Sequence, residues 1–274
     1  MDMTNAPSDS SAHPALVVKI GGSVLGSQDT SLEDLVELQR RGQIPVVVHG
    51  GGPVISRWME RQNLTPNFVR GLRVTDAPSM EIVAATLGGL VNKELVSTIH
   101  RLGGRALGIS GVDGSMLEAE VLDPELGLVG RITRVDPAPI LSVLAAGYIP
   151  MIAPVAIHAI DGSEWSAALL NINGDTAAGE IARALQAESL VFLTDVEGVM
   201  DSEGRVLERL TSAEVQELMQ NGAVSGGMVP KVEACLRSLD GVGTARIVDG
   251  RRSRALLDLV EGAASGTRID KGDV

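Results

Sequence analysis

Residues 44–61 read IPVVVHGGGPVISRWMER, and this stretch decides the fold. Residues 44–48 have the length and β-branched composition of a buried strand, and residues 53–61 have the spacing of a helix. Between them lie His49 and three consecutive glycines. Glycines at the start of a helix can present several main-chain amides to an anion. The stretch therefore predicts a strand–loop–helix unit with a candidate ligand-binding turn at its centre.

Strand and helix patterns alternate along the rest of the chain. This alternation is typical of an α/β protein whose parallel strands are joined by helices. Residues 116–135 instead contain short alternating pieces around two glycines, which predict a hairpin on the sheet or over a site. We predict further strands at 16–20, 106–109, 149–153, 190–193, 245–248 and 267–269, and helices at 32–41, 79–101, 137–146, 174–185, 212–220, 228–239 and 252–260.

Composition limits the classes of function. The chain has 274 residues, enough for one large domain or two lobes. Lys and Arg number 23 against 35 Asp and Glu, so the net charge of −12 argues against a nucleic-acid-binding surface. Aromatic residues at 2% also weaken any base-stacking platform. Cys235 is the one cysteine, so the chain can form no internal disulfide, which is compatible with the cytoplasm.

Neither the start of the chain nor its most apolar run predicts a membrane segment. Residues 1–15 are mostly polar, without the pattern of a signal peptide, and we expect a flexible tail. Residues 140–157 are almost free of polar side chains but contain Gly147, Pro150 and Pro154. Because proline breaks helices, we interpret this run as a helix, a turn and a buried strand, with no membrane partner.

Two glycine motifs follow predicted strands. In Lys-Ile-Gly-Gly-Ser, residues 19–23, the glycines let a ligand approach the main chain while Lys19 supplies a positive charge; the alternative is a turn with a solvated lysine. The motif His-Gly-Gly-Gly-Pro, residues 49–53, has neither the Walker nor the dinucleotide-binding spacing. His49 by itself is more typical of a packed, hydrogen-bonded residue than of a catalyst.

Charged residues complete two further motifs. In Gly-Leu-Arg-Val-Thr-Asp, residues 71–76, Arg73 suits capture of a carboxylate, and the alternative is a surface ion pair with Asp76 or Glu81. In Asn-Ile-Asn-Gly-Asp, residues 171–175, the polar residues suit a helix cap. A carboxylate at Asp175 could also orient lysine ammonium groups that neutralise a transferring phosphoryl group.

Six motifs, taken in order, carry a resemblance to a known family. Four are those described above, namely Lys-x-Gly-Gly, His-Gly-Gly-Gly-Pro, Gly-Leu-Arg-Val-Thr and Asn-x-Asn-x-Asp. The other two are Thr-Asp-x-x-Gly-Val at residues 194–199 and Gly-Gly-Met-x-x-Lys at residues 226–231. Over about residues 16–270 the chain resembles the amino acid kinase family, and within it the members that phosphorylate N-acetyl-L-glutamate. The resemblance implies a three-layer αβα sandwich with a central, mostly parallel eight-stranded sheet. It also implies a homodimer, with an acyl-amino-acid-binding lobe that carries the interface (16–186) and an ATP-binding lobe (187–274).

The resemblance further implies a reaction and a role for each motif. The reaction moves the γ-phosphoryl of ATP to the side-chain carboxylate of N-acetyl-L-glutamate in arginine biosynthesis, with Mg²⁺ carried on ATP and no metal site of the protein's own. The expected catalytic residues are Lys19, Lys231, Asp175, Gly22 and Gly51. The expected substrate contacts are Gly50, Gly51, Leu72, Arg73, Asn171 and Asn173. The expected nucleotide contacts are Lys19, Gly21, Gly22, Thr194, Asp195, Gly198, Val199, Met200, Ala223, Val224, Ser225 and Lys231.

Three other functions remain open at this point. The nearest is a kinase of the same fold that acts on aminoadipate or glutamate tethered to a carrier protein, and the net charge and the Arg73 motif favour the free N-acetyl substrate over it. Another is a catalytically silent sensor, against which the presence of both lysines with Asp175 argues. The last is a dinucleotide-dependent oxidoreductase, which lacks its glycine spacing here.

Overall fold

The computed structural model describes residues 16–22, 30–159, 169–263 and 266–272. The predicted tail at 1–15 and Ser23 of the first glycine motif lie outside the described residues. The strands are β1 (Leu16–Ile20), β2 (Val46–His49), β3 (Phe68–Val69), β4 (Leu72–Arg73), β5 (Ala106–Ser110), β6 (Leu117–Val121), β7 (Gly130–Val135), β8 (Ile149–Ala153), β9 (Val155–His158), β10 (Leu169–Asn171), β11 (Ser189–Thr194), β12 (Arg209–Thr211), β13 (Thr244–Asp249) and β14 (Thr267–Asp270).

The helices join these strands and cover both faces of the main sheet. They are α1 (Ser31–Arg40), α2 (Gly52–Arg61), α3 (Ala77–Ala84), α4 (Asn92–Arg101), α5 (Ala138–Ala145), α6 (Gly174–Ala184), α7 (Ser212–Gln220), α8 (Met228–Ser238) and α9 (Ala255–Val260). A π-helical segment, Ala85–Val91, makes α3 and α4 continuous.

The predicted α/β fold with an eight-stranded, mostly parallel sheet is confirmed. The strand order is β12-β14-β13-β11-β1-β2-β8-β5, and among the described strands of this sheet only β13 and β14 pair antiparallel. The central strand β1 alternates its side chains, so Val17 packs into one core and Val18 into the other. The first core includes Ile181 of α6, and the second includes Leu35 of α1. These two layers of helices on one sheet make the αβα sandwich.

Several smaller elements differ from the prediction. The predicted hairpin at 116–135 is confirmed as β6 and β7, but two strands that the prediction lacks, β9 and β10, extend it to a four-stranded sheet. The sequence patterns also missed the β3–β4 hairpin and the edge strand β12. The last helix begins at Ala255 instead of residue 252, because Arg254 adopts a left-handed conformation with φ of 59°.

The two most apolar stretches are both part of the fold. Residues 140–157 form most of α5, then β8 and most of β9, so the predicted helix and buried strand are confirmed and a second strand follows them. Among the described residues, one helix is long and apolar enough to cross a membrane, the continuous helix Ala77–Arg101. Its residues Val83, Leu87 and Ile99 are buried in the protein's own cores. We therefore interpret it as a core helix.

Helices α6 and α8 cross where the residue on α6 has no side chain. A Cβ atom at Gly179 would lie 2.9 Å from the carbonyl oxygen of Ala234 on α8. This close approach matters for the site described below, because α6 begins with Asp175 in its first turn and α8 carries Lys231. Glycine at 179 thus sets the separation of the two helices.

We expect Gly179→Ala to destabilise the fold although alanine favours helices. The methyl group must displace the main chain of α8, and such overpacking typically costs about 1–3 kcal/mol. Gly89→Ala is the matched control, since Gly89 is helical and a Cβ there meets no atom within 4 Å. Denaturant unfolding should show a lower free energy of unfolding for Gly179→Ala only. Equal stability of the two variants would refute the close-approach explanation.

Candidate active site

Two lysines from distant parts of the chain share one carboxylate. Lys19 Nζ lies 2.7 Å from Asp175 Oδ1, and Lys231 Nζ lies 3.1 Å from Asp175 Oδ2. The side chains of Lys19 and Asp175 are 10% and 7% exposed, and that of Lys231 is 17% exposed. The structure therefore brings together the three residues that the sequence analysis expected to meet.

Local structure explains why these side chains converge. Lys19 lies near the carboxyl end of β1, and Asp175 lies in the first turn of α6. Asn173 caps α6, because its Oδ1 accepts hydrogen bonds from the amides of Asp175 and Thr176. Asn173 thus has the capping role that the sequence analysis gave as the alternative to ligand binding. A carboxylate in the first turn also interacts favourably with the helix dipole.

Lys19, Lys231 and Asp175, called the trio below, together carry a net positive charge. Burial by itself raises the pKa of Asp175, but Lys19 and Lys231 outweigh burial and hold this pKa below its ordinary value. Asp175 is therefore ionised at neutral pH, and it cancels one of the two ammonium charges. The remaining charge, together with the amino end of α6, makes the site attractive to an anion.

The two glycine motifs meet beside the trio. The amide of Gly50 donates to the carbonyl of Ile20, so the loop after β2 is tied to the end of β1. A Cβ at Gly50 would lie 3.2 Å from the Gly22 nitrogen, and one at Gly51 would lie 2.6 Å from Leu87 Cδ2. A side chain at Gly50 would push the two loops apart, and one at Gly51 would have to displace Leu87. Glycine is therefore required for close packing here.

A cavity of about 180 Å³ brings the predicted substrate residues together. Lys19 and Asp175 lie at one part of its lining and Arg73 at another. All six residues expected to contact the substrate belong to the lining, namely Gly50, Gly51, Leu72, Arg73, Asn171 and Asn173. Apolar residues that the sequence analysis did not single out also line it, and they are Ile55, Phe68, Leu87, Val129, Pro154 and Ile172.

Arg73 is buried, and the alternative of a surface ion pair is wrong. Its Nη2 donates to the carbonyl of Gly52 at 3.0 Å and to Ser56 Oγ at 2.8 Å. Its guanidinium lies 4.7 Å from the centre of the Phe68 ring. Asp76, the expected ion-pair partner, instead accepts from the amide of Ser79 and caps α3. Arg73 Nη1 also donates to Met59 Sδ at 3.1 Å, so the guanidinium is held in place where Arg73 lines the cavity.

Of the residues expected to contact a nucleotide, only Lys19 is among the described residues that line this cavity. Thr194 ends β11, and a Cβ at Gly198 would lie 2.6 Å from Thr267 Oγ1. The side chains of Val199 and Val224 are buried in the core, whereas Met200 is 40% exposed. The amide of Val199 donates to Thr267 Oγ1 and its carbonyl accepts from the amide of Leu207, so both main-chain groups of Val199 have partners within the protein.

A family model for the amino acid kinase family matches residues 14–249. The chain belongs to the amino acid kinase family. The matched range includes Lys19, Gly50–Gly52, Arg73 and Asp175, which line the cavity, and Lys231, which completes the trio.

Curated relatives agree with this membership. A protein named acetylglutamate kinase from Dehalococcoides mccartyi (strain CBDB1) is 42% identical over 268 residues, 97% of each chain. Another acetylglutamate kinase, from Cereibacter sphaeroides (strain ATCC 17029 / ATH 2.4.9), is 43% identical and covers 94% of this chain and 88% of its own. Among solved structures, smu.665 from Streptococcus mutans UA159 is 30% identical with a TM-score of 0.79, covering 94% of this chain and 98% of that one.

Proposed function

We propose that this amino acid kinase family member transfers the γ-phosphoryl of ATP to the side-chain carboxylate of N-acetyl-L-glutamate. The product is N-acetyl-L-glutamyl 5-phosphate, formed in the second step of arginine biosynthesis. The observation that carries the proposal is the convergence of Lys19 and Lys231 on Asp175, beside a cavity that also holds Arg73. Relatives named acetylglutamate kinase, at 42–44% identity over most of the chain, support the same activity.

The chemistry needs positive charge and positioning more than a base. A carboxylate acceptor is already ionised at pH 7, so the site has no proton to remove before attack. Charge on the transferring phosphoryl group must instead be neutralised, and fixed donors do this best in a water-poor site. Lys19, Lys231 and the amides of Gly22 and Gly51 are the donors that we assign to this task. Asp175 keeps the two ammonium groups at a fixed separation.

The two ends of the acyl substrate require different surroundings. We assign Arg73 to its α-carboxylate, because the guanidinium is rigid and can bind two carboxylate oxygens. Asn171, whose Nδ2 donates to Thr75 Oγ1, is assigned to the acetamido and carboxylate groups. Leu72 and the apolar lining would then enclose the acetyl methyl and the carbon chain. The reacting carboxylate is thereby directed towards the lysines.

We place ATP on the other side of the trio, along the loops that follow β11 and α7. The residues assigned to it are Thr194, Asp195, Gly198, Met200, Ala223 and Ser225, with Gly21, Gly22, Lys19 and Lys231 near its phosphates. Mg²⁺ would arrive with ATP as part of the substrate, since this ion keeps much of its own coordination shell. We also propose a lobe boundary near residue 187, a cytoplasmic location and a homodimer.

A phosphoryl-transfer assay tests the proposed function. Acyl phosphate can be trapped as a hydroxamate after incubation of the protein with ATP and Mg²⁺. We expect product with N-acetyl-L-glutamate and far less with L-glutamate, L-aspartate, carbamate or an aminoadipate carried on a protein. Preference for the carrier-bound substrate would identify the related tethered-substrate kinase. Nucleotide binding with no product from any acceptor would identify a silent homologue.

We expect Arg73→Lys to weaken binding of the acyl substrate while ATP binding stays unchanged. Lysine keeps the charge but cannot make the bidentate contact of a guanidinium with a carboxylate. Each hydrogen bond to a charged group contributes about 1.5–3 kcal/mol to binding. The KM for N-acetyl-L-glutamate should therefore rise by about tenfold or more. Arg57→Lys is the control, because Arg57 is an exposed residue of α2 that does not line the cavity. Unchanged KM in Arg73→Lys would exclude the assigned contact.

A further inference from the structure

A buried histidine lies directly beneath the glycine loop, and the proposed reaction has no use for it so far. His49 is the last residue of β2. Both His49 and Asn92 are fully buried, with 0% exposure. His49 Nδ1 is 3.0 Å from the carbonyl oxygen of Gly50, and His49 Nε2 is 3.0 Å from Asn92 Nδ2. The ring therefore connects α4 with the loop that lines the cavity.

The surroundings of Asn92 determine which way its amide points. Asn92 Nδ2 lies 2.8 Å from the carbonyl oxygen of Met151, which can only accept a hydrogen bond. Asn92 Oδ1 lies 3.0 Å from Lys93 Nζ, which can only donate. Lys93 Nζ also donates to the carbonyl of Gly108, and a Cβ at Gly108 would collide with Asn92. Reversing the amide would place an acceptor against an acceptor and a donor against a donor.

This orientation determines the protonation of the histidine. Because Asn92 Nδ2 is a donor, His49 Nε2 must accept, so the proton of the neutral ring is on Nδ1. Nδ1–H then donates to the carbonyl of Gly50. Burial lowers the pKa of His49 to about 4, with Lys93 and Lys19 adding to the effect and the Gly50 hydrogen bond opposing it. The ring is therefore neutral at pH 7 and acts as a fixed donor.

A fixed carbonyl at Gly50 also fixes the amide of the next residue. In a trans peptide the C=O and N–H groups point in opposite directions, and the peptide is planar. Since His49 holds the Gly50 oxygen on the core side, the Gly51 N–H points away from the core. Gly51 lines the cavity with Lys19 and Asp175, and its N–H has no acceptor among the residues that the structure describes.

We infer that His49, oriented by Asn92 and Lys93, is a positioning residue for phosphoryl transfer. It holds the Gly50–Gly51 peptide so that the Gly51 amide faces the transferring group. The inference rests on the proposed function, because it deepens the role assigned there to Gly51. Asn92 and Lys93 act only through the ring, and His49 itself touches neither substrate.

The first test is spectroscopic and needs no activity. Long-range ¹H–¹⁵N spectra of the uniformly labelled wild-type protein at pH 7 report the tautomer of each histidine. We expect one ring in the Nδ1–H form, and its signals should vanish in His49→Asn. An Nε2–H or doubly protonated His49 would overturn the inference. Because no turnover is involved, this result stands or falls separately from the proposed function.

The second test compares two replacements of the histidine. Asparagine places an amide nitrogen near the position of Nδ1, so His49→Asn can still donate to Gly50, whereas His49→Leu cannot. We expect His49→Leu to lower kcat by at least about tenfold. The upper limit is the loss of about 10²–10³-fold in kcat that removal of one transition-state donor causes. His49→Asn should recover most of this loss, and the KM values should change little in both. His100→Leu, at an exposed histidine on α4, is the control.

The outcomes separate positioning from simple packing. Equal losses in folded His49→Asn and His49→Leu would show a structural role only, and normal kcat in His49→Leu would exclude any role. If His49→Leu fails to fold, the inference is tested by the tautomer of His49 in the wild type and by the kcat of His49→Asn. An Nε2–H tautomer or a large loss of kcat in His49→Asn would then overturn it. A wild-type protein that lacks activity on every acyl amino acid would refute the proposed function, whatever the tautomer.

Discussion

Lys231→Met is expected to lower kcat by about 10²–10³-fold with the fold retained, and Lys19→Met is expected to do the same. Each methionine keeps the apolar stem of the side chain but removes an ammonium group that we assign to the transferring phosphoryl. Loss of one such donor typically lowers kcat by about 10²–10³-fold. Both side chains are mostly buried at the site, and each lies within 3.1 Å of Asp175. Single-turnover measurements of acyl phosphate formation give the rate of the chemical step directly.

The matched control is Lys271→Met. Lys271 is an exposed lysine whose Nζ lies 3.9 Å from Asp240 Oδ1, and its ammonium group makes no ion pair with Asp175. This variant should keep the wild-type rate and the same thermal stability. Near-normal turnover in Lys19→Met or Lys231→Met would mean that the trio is a structural ion-pair cluster and that phosphoryl transfer, if it occurs, takes place elsewhere.

Asp175→Asn is expected to reduce stability and activity together. It leaves two buried ammonium groups facing each other without a counter-charge, and removing one partner of a buried pair typically costs about 3–5 kcal/mol. We also expect ATP to raise the Tm of the variant more than that of the wild type, because the triphosphate replaces the missing negative charge. Differential scanning fluorimetry with and without ATP measures both effects.

The stability difference should depend on pH in one direction. The pKa of Asp175 is lower in the folded protein than its ordinary value of 3.8, so the ionised carboxylate stabilises the fold at any pH above about 4. This contribution is lost as the pH falls through the folded-state value. The gap in unfolding free energy between wild type and Asp175→Asn should therefore narrow in acid. A gap that widens below pH 4 would contradict the ion-pair account.

Sequence patterns predicted the central features because these depend on local signals. Short apolar runs that alternate with helical periods predicted every strand of the main sheet except β12, while the count of eight strands came from the family resemblance. Parallel strands place their carboxyl ends at one edge. Lys19 at the end of β1 and Asp175 at the start of α6 were therefore expected near each other. Lys231 could be grouped with Asp175 from the sequence, but its position depends on how α8 packs against α6.

What the sequence missed depends on contacts between distant segments. Strands β3 and β4 have two residues each, too few to show a period of two. The buried setting of Arg73 comes from Ser56 and Phe68, and nothing in its own motif points to them. Asn92 looks like an ordinary polar helix residue, and only the packed structure places it against His49. Leu87 reaches Gly51 from the π-helical segment, which the sequence analysis read as continuous helix.

A double-mutant cycle on the single-turnover rate tests the central claim most directly. In Lys231→Met, Asp175 and Lys19 form a neutral pair, whereas the double variant leaves the Asp175 carboxylate without a counter-charge beside the phosphoryl group, so removing Lys19 as well should cost more than in the wild type. We predict that Lys19→Met/Lys231→Met is less active than the product of the two single losses implies. Rates that multiply independently, or single variants that match the wild type, would contradict shared action of the two ammonium groups on one phosphoryl.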